Sequence, residues 1–295
     1  MQELGPILRL LDLNRIKSMK RDIEVLVLSD IHLGTYGCHA KELCTYLDSI
    51  RPQIIILNGD IIDAWQFSKR YFPKYHTMVI SKILQFASKG GKVYYLTGNH
   101  DEMLRKFVPF EMGGIKLENK LILNLDGKVH WFFHGDVFDS SVKCAKWLAK
   151  LGGAGYDILV AINLLVNKIL KIFGRPKMSL SKKIKDSVKR AVKYVNDYEM
   201  LAAELAIDQS YDYVVLGHIH KPQIKEVSNQ KGAVVYMNSG DWIENLTSLE
   251  YTKGNWAIYQ FDEKLVEDAT LIESVTDDIQ LNMQEVLSGQ VELSH

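Results

Sequence analysis

The chain has 295 residues, of which 47% are hydrophobic and 24% charged, so it can bury a sizeable core without disulfides or a structural metal. Its three cysteines, Cys38, Cys44 and Cys144, form no CxxC pair, and this odd count argues against a disulfide framework or a structural zinc site. The sequence shows no apolar stretch of about 18 residues and no leader-like pattern, so we expect a cytoplasmic protein.

The net charge of zero hides two opposed blocks. Residues 140–200 contain thirteen Lys and Arg against four Asp and Glu, whereas residues 261–295 contain one Lys against nine acids. Such blocks commonly form solvated faces or tails. A basic block near an active site can also attract an anionic substrate or an anionic membrane. Both interpretations remain open at this point.

The first half of the chain alternates apolar strands with helical patterns, which is typical of βαβ units. The predicted elements are strands at Ile23–Leu28, Ile54–Leu57 and Lys92–Thr97, with helices at Ala40–Ile50 and Tyr75–Ser88 between them. Two further apolar runs, Leu121–Leu125 and Val129–Phe133, flank Asp126-Gly127, a dipeptide that favours a hairpin turn.

Residues 140–208 break this alternation and are predicted to be helical. Tyr156–Phe173 has a wide apolar face, and a second helix begins near Ser181. Short strands resume at Tyr213–Leu216, Ala233–Asn238 and Trp256–Phe261. We therefore expect a catalytic domain formed by 22–139 and 209–275, a helical insertion at 140–208, and an acidic tail at 276–295 in which disorder is expected.

Five short polar segments each follow a predicted strand. They are Asp30-Ile31-His32, Gly59-Asp60, Gly98-Asn99-His100-Asp101, His134-Gly135-Asp136 and Gly217-His218-Ile219-His220. Loops at the carboxyl ends of strands can converge at one sheet edge. Two divalent cations about 3.5–4 Å apart need a shared carboxylate and mixed nitrogen and oxygen ligands, and these segments supply both. Each motif alone has a bland interpretation as a turn or a satisfied polar pair, but five in one order are hard to explain by chance.

This ordered set resembles the signature of the calcineurin-like metallophosphoesterases: D-x-H, G-D, G-N-H-D, a His before Gly, and G-H-x-H. The resemblance implies an α/β fold, a four-layer α-β-β-α sandwich, with the helical insertion as a cap. It also implies the roles of nine residues: a first metal held by Asp30, His32 and His220, a second held by Asn99, His134 and His218, Asp60 bridging them, His100 as the catalytic group, and Asp101 orienting His100.

The same resemblance implies two divalent metal ions as cofactors. Imidazole and carboxylate ligands suit several such ions; we expect Mn and leave Fe, Zn, Mg and Ca open. Bound cations lower the pKa of water and neutralise charge that builds on phosphoryl oxygens. His100 would stabilise that charge or protonate the leaving oxygen.

Within the family, the chain is most similar to the UDP-2,3-diacylglucosamine pyrophosphatases of lipid A synthesis. Asp63-Ala64-Trp65 matches an acidic-Ala-Trp sequence of that branch, Lys221-Pro222 matches a basic-Pro pair, and the helical insertion takes the place of a lipid-holding cap. The similarity implies an amphiphilic diphosphate or nucleotide substrate, cleaved to UMP and a lipid sugar phosphate. The residues expected to bind it are Trp65, Lys182, Lys185, Lys189 and Lys221, although the helical lysines also suit a solvated face. Peripheral contact with the inner face of an anionic membrane would follow; an apolar cap does not favour nucleic acid.

One position departs from this branch, which usually carries Arg after the metal-binding Asn. Here the residue is His100, as in general phosphodiesterases, and a His can donate a proton. Asn238-Ser239-Gly240-Asp241-Trp242-Ile243-Glu244 also resembles uncharacterised relatives of that pyrophosphatase. The alternatives are therefore a phosphodiesterase acting on another nucleotide or phospholipid, and an inactive scaffold of the same fold. A scaffold would be expected to lose metal ligands, and all seven are present.

Overall fold

The structure is a computed structural model that describes residues 20–63, 71–138 and 180–262, with the backbone alone described for 180–192. The chain divides into two compact units. The first takes in the described residues up to His134, Val215–Ile224 and those from Met237 onward. The second takes in the described parts of 135–214 and 225–236.

The described residues contain three α-helices, two 3₁₀ turns and twelve strands. The α-helices are α1 (Ala40–Asp48), α2 (Lys74–Ser88) and α3 (Leu180–Asp208), and the 3₁₀ turns are Glu102–Phe107 and Asp136–Phe138. The strands are β1 (Arg21–Leu28), β2 (Ile50–Asn58), β3 (Lys92–Leu96), β4 (Phe110–Met112), β5 (Ile115–Glu118), β6 (Lys120–Leu125), β7 (Lys128–Phe133), β8 (Tyr213–Leu216), β9 (Gln223–Asn229), β10 (Gly232–Asn238), β11 (Thr247–Thr252) and β12 (Asn255–Gln260).

The larger sheet has the strand order β12-β11-β1-β2-β3-β5-β4. Its centre is parallel: β1 pairs with β2, β2 with β3, and β3 with β5, all in the same direction. Parallel strands are covered on both faces, which explains the uninterrupted apolar run Ile54–Leu57 in β2. Because β1, β2 and β3 run the same way, the segments that follow them emerge at one edge of the sheet.

Helices α1 and α2 cover one face of this sheet. Leu43 and Val79, one from each helix, are fully buried in the same core cluster as Leu26 and Leu57 of the strands. Burying each such side chain stabilises the fold by about 1.5–3 kcal/mol. These helices therefore fix the sheet whose carboxyl edge carries the polar segments.

The second sheet has the order β6-β7-β8-β10-β9. Strands β6 and β7 form the hairpin predicted from Asp126-Gly127, and both turn residues have positive φ, 52° and 81°. Within the first unit this hairpin faces the larger sheet, because His130 and Tyr251 have ring centroids 6.0 Å apart. Phe132 and Trp256 add a second ring contact at 6.2 Å. Two mixed sheets with helices confirm the α/β metallophosphoesterase fold expected from the sequence.

The second unit contains most of α3, the second helix predicted in the 140–208 region. Tyr198 of α3 is fully buried, and its ring lies edge-on to Phe138 at 5.4 Å. Glu199 is also buried, and Lys225 pairs with its carboxylate. Together these contacts pack the later part of α3, whose side chains are described, against other residues of the second unit.

Most predicted elements are present with ends shifted by one to four residues, but four strands were missed. In β11 the sequence Thr-Ser-Leu-Glu-Tyr-Thr looks exposed, yet Glu250 is buried because Arg21 and Tyr46 donate hydrogen bonds to its carboxylate at 2.7–2.8 Å. In β4 all three residues are exposed, and β9 is exposed or half-buried throughout, so neither shows an apolar period. The short β5 was also missed.

Several predictions fall outside the described residues. These are the apolar helix Tyr156–Phe173, the acidic tail and Trp65. The boundaries of the helical insertion stay a prediction. Among the described helices, none combines the length and hydropathy that crossing a membrane requires.

Candidate metal centre

The loops after β1 and β2 are joined by their backbones. The Asp30 amide donates to the Gly59 carbonyl at 3.1 Å, and the His32 amide donates to the Asp60 carbonyl at 3.0 Å. Asp30, His32 and Asp60 are all buried. The pairing therefore brings the Asp-x-His motif and the Gly-Asp motif side by side beneath the surface.

The predicted ligands share a strained backbone. Five of the seven have positive φ, between 51° and 68°: Asp30, His32, Asp60, His218 and His220. This conformation is sparsely populated by residues other than Gly and costs on the order of 1–3 kcal/mol each when the surroundings enforce it. Outliers of this kind cluster at functional sites, where the fold holds side chains in a required direction.

Imidazole and carboxylate groups form one continuous cluster at this edge. Three sets have ligand atoms that all lie within 4.8 Å of one another: Asp30, His32 and His220; His32, Asp60 and His100; and Asp60, His134 and His218. His32 belongs to the first two sets, and Asp60 belongs to the last two. The structure thus brings together six of the seven predicted ligands, and Asp60 shares one set with His32 and another with His134 and His218.

Asn99, the seventh predicted ligand, lies in the loop after β3, between Gly98 and His100. Its Oδ1 is buried, as is His32 Nε2, and neither atom makes a hydrogen bond within the described residues. Leaving a buried polar atom without a partner costs about 1–3 kcal/mol. Cations bound in the cluster would give each of these two atoms a partner, so the residues present fit a metal site.

The two central carboxylates are held in their charged form. Burial by itself would raise the pKa of Asp30, but the neighbouring imidazoles, His220 first, hold it well below its usual range. Burial likewise opposes ionisation of Asp60, while His134 lowers its pKa to about 2. The cluster therefore offers two anionic groups to a cation near neutral pH.

His134 presents one defined nitrogen to the cluster. Its Nδ1 lies 2.9 Å from the Asn58 carbonyl oxygen, which accepts a hydrogen bond only if Nδ1 carries the proton. Nε2 then faces Asp60 Oδ2 at 3.2 Å. A backbone acceptor that fixes the tautomer and ring direction is the usual support of a metal-binding histidine.

The Asp63 carboxylate lies beside His100. Asp63 Oδ2 lies 2.9 Å from His100 Nδ1 and 3.4 Å from His32 Nδ1, and the residue is buried. We expected Asp101 to orient His100, and that role stays a prediction, because the hydrogen bonds described for its carboxylate go to the neighbouring loops. The Asp101 carboxylate accepts them from the amides of Ile61 and Gly98 and from the Tyr95 hydroxyl, at 2.5–3.0 Å.

Asp101 therefore ties the loop after β2 to the loop after β3. Burial raises the pKa of Asp101 in spite of the hydrogen bonds from Tyr95 and Gly98. In sequence, Asp63 was visible only as part of the Asp-Ala-Trp match. A carboxylate three residues after Asp60 was the signal that could have identified it.

The substrate residues expected from the sequence are only partly placed. Lys221 is exposed and directly follows His220. Lys182, Lys185 and Lys189 lie on α3, where the backbone alone is described, and Trp65 lies outside the described residues. Their roles stay predictions.

Gly98→Ala is expected to disrupt the cluster. A Cβ on Gly98 would lie 2.5 Å from the Asp60 amide nitrogen and would also clash with Asp60 Oδ1. The carboxylate must move, so we expect at least about a 10-fold loss of metal affinity and about 1–3 kcal/mol lower free energy of unfolding. Metal titration and urea unfolding measure the two effects.

Gly232→Ala is the matched control, because its Cβ would meet Ile207 at an ordinary 3.5 Å. Unchanged metal affinity in Gly98→Ala would contradict the steric argument.

The chain matches the family model described as calcineurin-like phosphoesterase over residues 23–222. It belongs to this family and is a metal-dependent phosphoesterase. The match begins in β1 and takes in every residue of the three ligand sets.

Its curated relatives include proteins named UDP-2,3-diacylglucosamine hydrolase. One from Aliivibrio fischeri is 22% identical over 248 residues, covering 81% of this chain and 99% of the relative. One from Escherichia coli O1:K1 is 26% identical over 193 residues, covering 62% and 75%. One from Porphyromonas gingivalis is 30% identical over 129 residues, which are 41% of this chain and about half, 48%, of that relative.

Solved structures similar to this chain include phosphoesterases. An archaeal phosphodiesterase has a TM-score of 0.38 at 13% identity, covering 80% of this chain and 98% of its own. A phosphoesterase from E. coli has a TM-score of 0.38 at 14% identity, covering 81% and 99%. Likenesses of this degree carry no information about substrate.

Proposed function

We propose that this protein binds two divalent cations, with Mn as the expected metal, and hydrolyses the pyrophosphate of UDP-2,3-diacylglucosamine or a similar lipid-linked nucleotide diphosphate. The products are UMP and a lipid sugar phosphate. The observation that carries the proposal is the position of Asp60, whose carboxylate belongs to two adjoining ligand sets. A shared carboxylate is what a pair of cations needs.

The predicted ligands fall into two groups, one for each cation. Asp30, His32 and His220 would hold one, and Asn99, His134 and His218 would hold the other, with Asp60 between them. Bound there, the cations supply a nucleophile near neutral pH and neutralise phosphoryl charge. His32 Nε2 and His134 Nε2 point at carboxylates of the cluster, 3.9 Å and 3.2 Å from Asp60 Oδ2, so they are already aimed for binding.

His100 would act on the leaving oxygen. The Asp63 carboxylate lies beside Nδ1, which favours the proton on that nitrogen and leaves Nε2 for the substrate. A His held in this way can stabilise charge on a phosphoryl oxygen or deliver a proton to the departing group. Its side chain is 20% exposed, whereas that of Asp63 is 1% exposed, so a substrate can reach the ring while its support stays covered.

The substrate class rests on the relatives and on the sequence match. Proteins named UDP-2,3-diacylglucosamine hydrolase align with most of this chain at low identity. The basic block at 140–200 would favour an anionic head group. An acylated substrate would place the enzyme at the inner membrane face as a peripheral protein, where each nearby Lys or Arg contributes about 1 kcal/mol of attraction.

One observation favours a second candidate, a phosphodiesterase acting on another nucleotide or phospholipid. His100 stands where the lipid A enzymes usually have Arg. Because it is paired with a buried carboxylate, it is equipped for proton transfer to an alkoxide leaving group. When a pyrophosphate is hydrolysed, the leaving group is a phosphate, which needs a proton less than an alkoxide does.

The test is release of UMP by the metal-loaded full chain. Incubation with UDP-2,3-diacylglucosamine and Mn²⁺ is expected to give UMP and the lipid sugar phosphate in equal amounts, with no reaction after chelation. UDP-glucose, a phospholipid diester and a cyclic nucleotide serve as comparison substrates. Activity on one of these, with none on the lipid nucleotide, would select the second candidate. No activity on any, together with less than one bound cation per chain, would select the inactive scaffold.

A further inference from the structure

We propose that Asn245 is a positioning residue for the metal ligand His220, and that Asn238–Asn245, hereafter the clamp segment, holds the loop around His220 against the loop around Asp30. This inference rests on the proposed metal centre and deepens it. The clamp segment contains the Asn-Ser-Gly-Asp-Trp-Ile-Glu sequence, to which the proposed reaction assigns no part.

His220 needs support that packing does not give. Its side chain is 32% exposed, whereas the side chains of His32 and His134 are 6% and 0% exposed. Its backbone has a φ of 54°, a conformation that must be enforced. The ring nitrogen Nε2 lies 3.1 Å from Asp30 Oδ1, so it is the backbone of His220 that we expect to need a hydrogen bond from outside its own loop.

Asn245 supplies a hydrogen bond to that backbone. Its Nδ2 donates to the His220 carbonyl oxygen at 2.7 Å and to Asp241 Oδ2 at 2.5 Å. A carboxamide nitrogen has two hydrogens, so both bonds can be made at once. The same Asp241 oxygen lies 3.8 Å from His220 Nδ1. The Asn245 carboxamide therefore connects the backbone of His220 to the carboxylate that lies beside the His220 ring.

Asp241 is itself immobilised. It is fully buried, and its Oδ1 accepts hydrogen bonds from the amides of Ile243, Glu244 and Asn245 at 2.5–3.3 Å. Three backbone donors fix the carboxylate and close the turn that carries Asn245. The clamp is thus built from a rigid acceptor outward to the ligand.

The other half of the clamp segment holds the remaining ligand loops. The Asn238 carboxamide donates to the Gly217 carbonyl at 2.6 Å, directly before His218. The Trp242 amide donates to the Asp30 carbonyl at 3.2 Å. Ser29, directly before Asp30, shares a hydrogen bond with Ser239 at 2.7 Å and donates to the Gly240 carbonyl at 3.0 Å. One short segment therefore contacts the loops of Asp30, His218 and His220.

Packing adds a further contact on the far side of His220. A Cβ on Gly240, whose φ is 75°, would lie 3.1 Å from Pro222 Cβ and would clash with Thr247 Oγ1. Gly240 therefore lets the clamp segment approach the Lys221-Pro222 pair closely. The ligand is held at its own carbonyl and two residues later.

The experiment is metal binding by the full-length protein carrying Asn245→Ala, measured with Mn²⁺ alone. Chelator-treated protein is titrated calorimetrically, and bound metal is counted after dialysis. We expect one of two cations to bind about 10–100-fold more weakly, the usual cost of removing a residue that orients a ligand, and the other to bind as in the wild type. Titration with Co²⁺ should show a changed visible spectrum for the weakened site.

Asn255→Ala is the matched control, because among the described residues the Asn255 carboxamide donates to the Lys253 carbonyl alone, within a turn. It is expected to bind both cations normally. Wild-type affinity at both sites in Asn245→Ala would overturn the inference. If Asn245→Ala does not fold, the isosteric Asp241→Asn keeps an acceptor for the turn and removes the carboxylate; unchanged affinity there would overturn it equally.

Failure of the proposed function gives a different result. If the wild-type protein binds no cation, the proposed metal centre itself is ruled out. If the wild-type protein binds two cations but does not cleave the lipid nucleotide, only the substrate assignment is ruled out. The comparison of Asn245→Ala with the wild type then still decides the role of the clamp segment.

Discussion

Asp60→Asn is expected to abolish turnover while leaving the fold intact. The carboxylate belongs to two ligand sets, and an amide cannot offer two cations two anionic oxygens. Metal ions contribute several kcal/mol of transition-state stabilisation, so we expect kcat to fall by at least about 10³-fold. Turnover of the lipid nucleotide, or of a chromogenic phosphodiester, measures the loss.

The same variant should lose the rise in melting temperature that Mn²⁺ causes in the wild type, because that rise reports binding to the folded state. Asp48→Asn is the matched control, since the Asp48 side chain is 62% exposed and its ion pair in the described part of the chain is with Lys82. The control should keep both activity and the metal-dependent shift. Retention of two cations by Asp60→Asn would show that its carboxylate is not shared.

His100→Ala is expected to separate catalysis from metal binding. His100 belongs to the cluster through its set with His32 and Asp60, but its Nδ1 lies 2.9 Å from Asp63 Oδ2, and the proposed metal centre does not use it as a ligand. Removing a general acid or a charge-stabilising group costs about 10²–10⁴-fold in rate. We therefore expect kcat to fall by that range while two cations still bind with wild-type affinity.

Two variants check this assignment. Asp63→Asn should lower kcat less than His100→Ala does and should change its pH dependence, because the support of the ring is weakened and the ring remains. His39→Ala should have no effect, since the His39 side chain is 45% exposed and lies 3.6 Å from Glu42, while its hydrogen bonds to Trp242 and Leu43 are made by the backbone and are kept by Ala. Loss of one cation in His100→Ala would mean that His100 is a ligand.

Much of the central sheet could be predicted because its strands are simple to recognise. Ile23–Leu28 and Ile54–Leu57 are apolar along their length, as parallel strands covered on both faces must be, and the structure places them in β1 and β2. The hairpin at Asp126-Gly127 was predictable because its turn requires two residues that tolerate positive φ. These signals are local, so a single sequence contains them in full.

The missed strands lack a local signal. Thr247–Thr252 is polar in composition but buried in place, because Glu250 meets Arg21 more than two hundred residues away. Phe110–Met112 and Gln223–Asn229 are short or exposed and pair only because a neighbouring strand is there. Such strands form because of pairing with distant parts of the chain and not because their own sequence alternates apolar and polar residues.

The sequence by itself determined which side chains could bind metal, and their order at the ends of strands. Their place after successive strands suffices for that, because loops at the carboxyl ends of strands can converge at one edge of a sheet. Only the tertiary structure decided that the Asp63 carboxylate lies beside the His100 ring, and that Asn245 reaches the carbonyl of His220. Both outcomes depend on which loops the packed sheet brings into contact, and contacts between residues 25 to 37 positions apart leave no pattern along the chain.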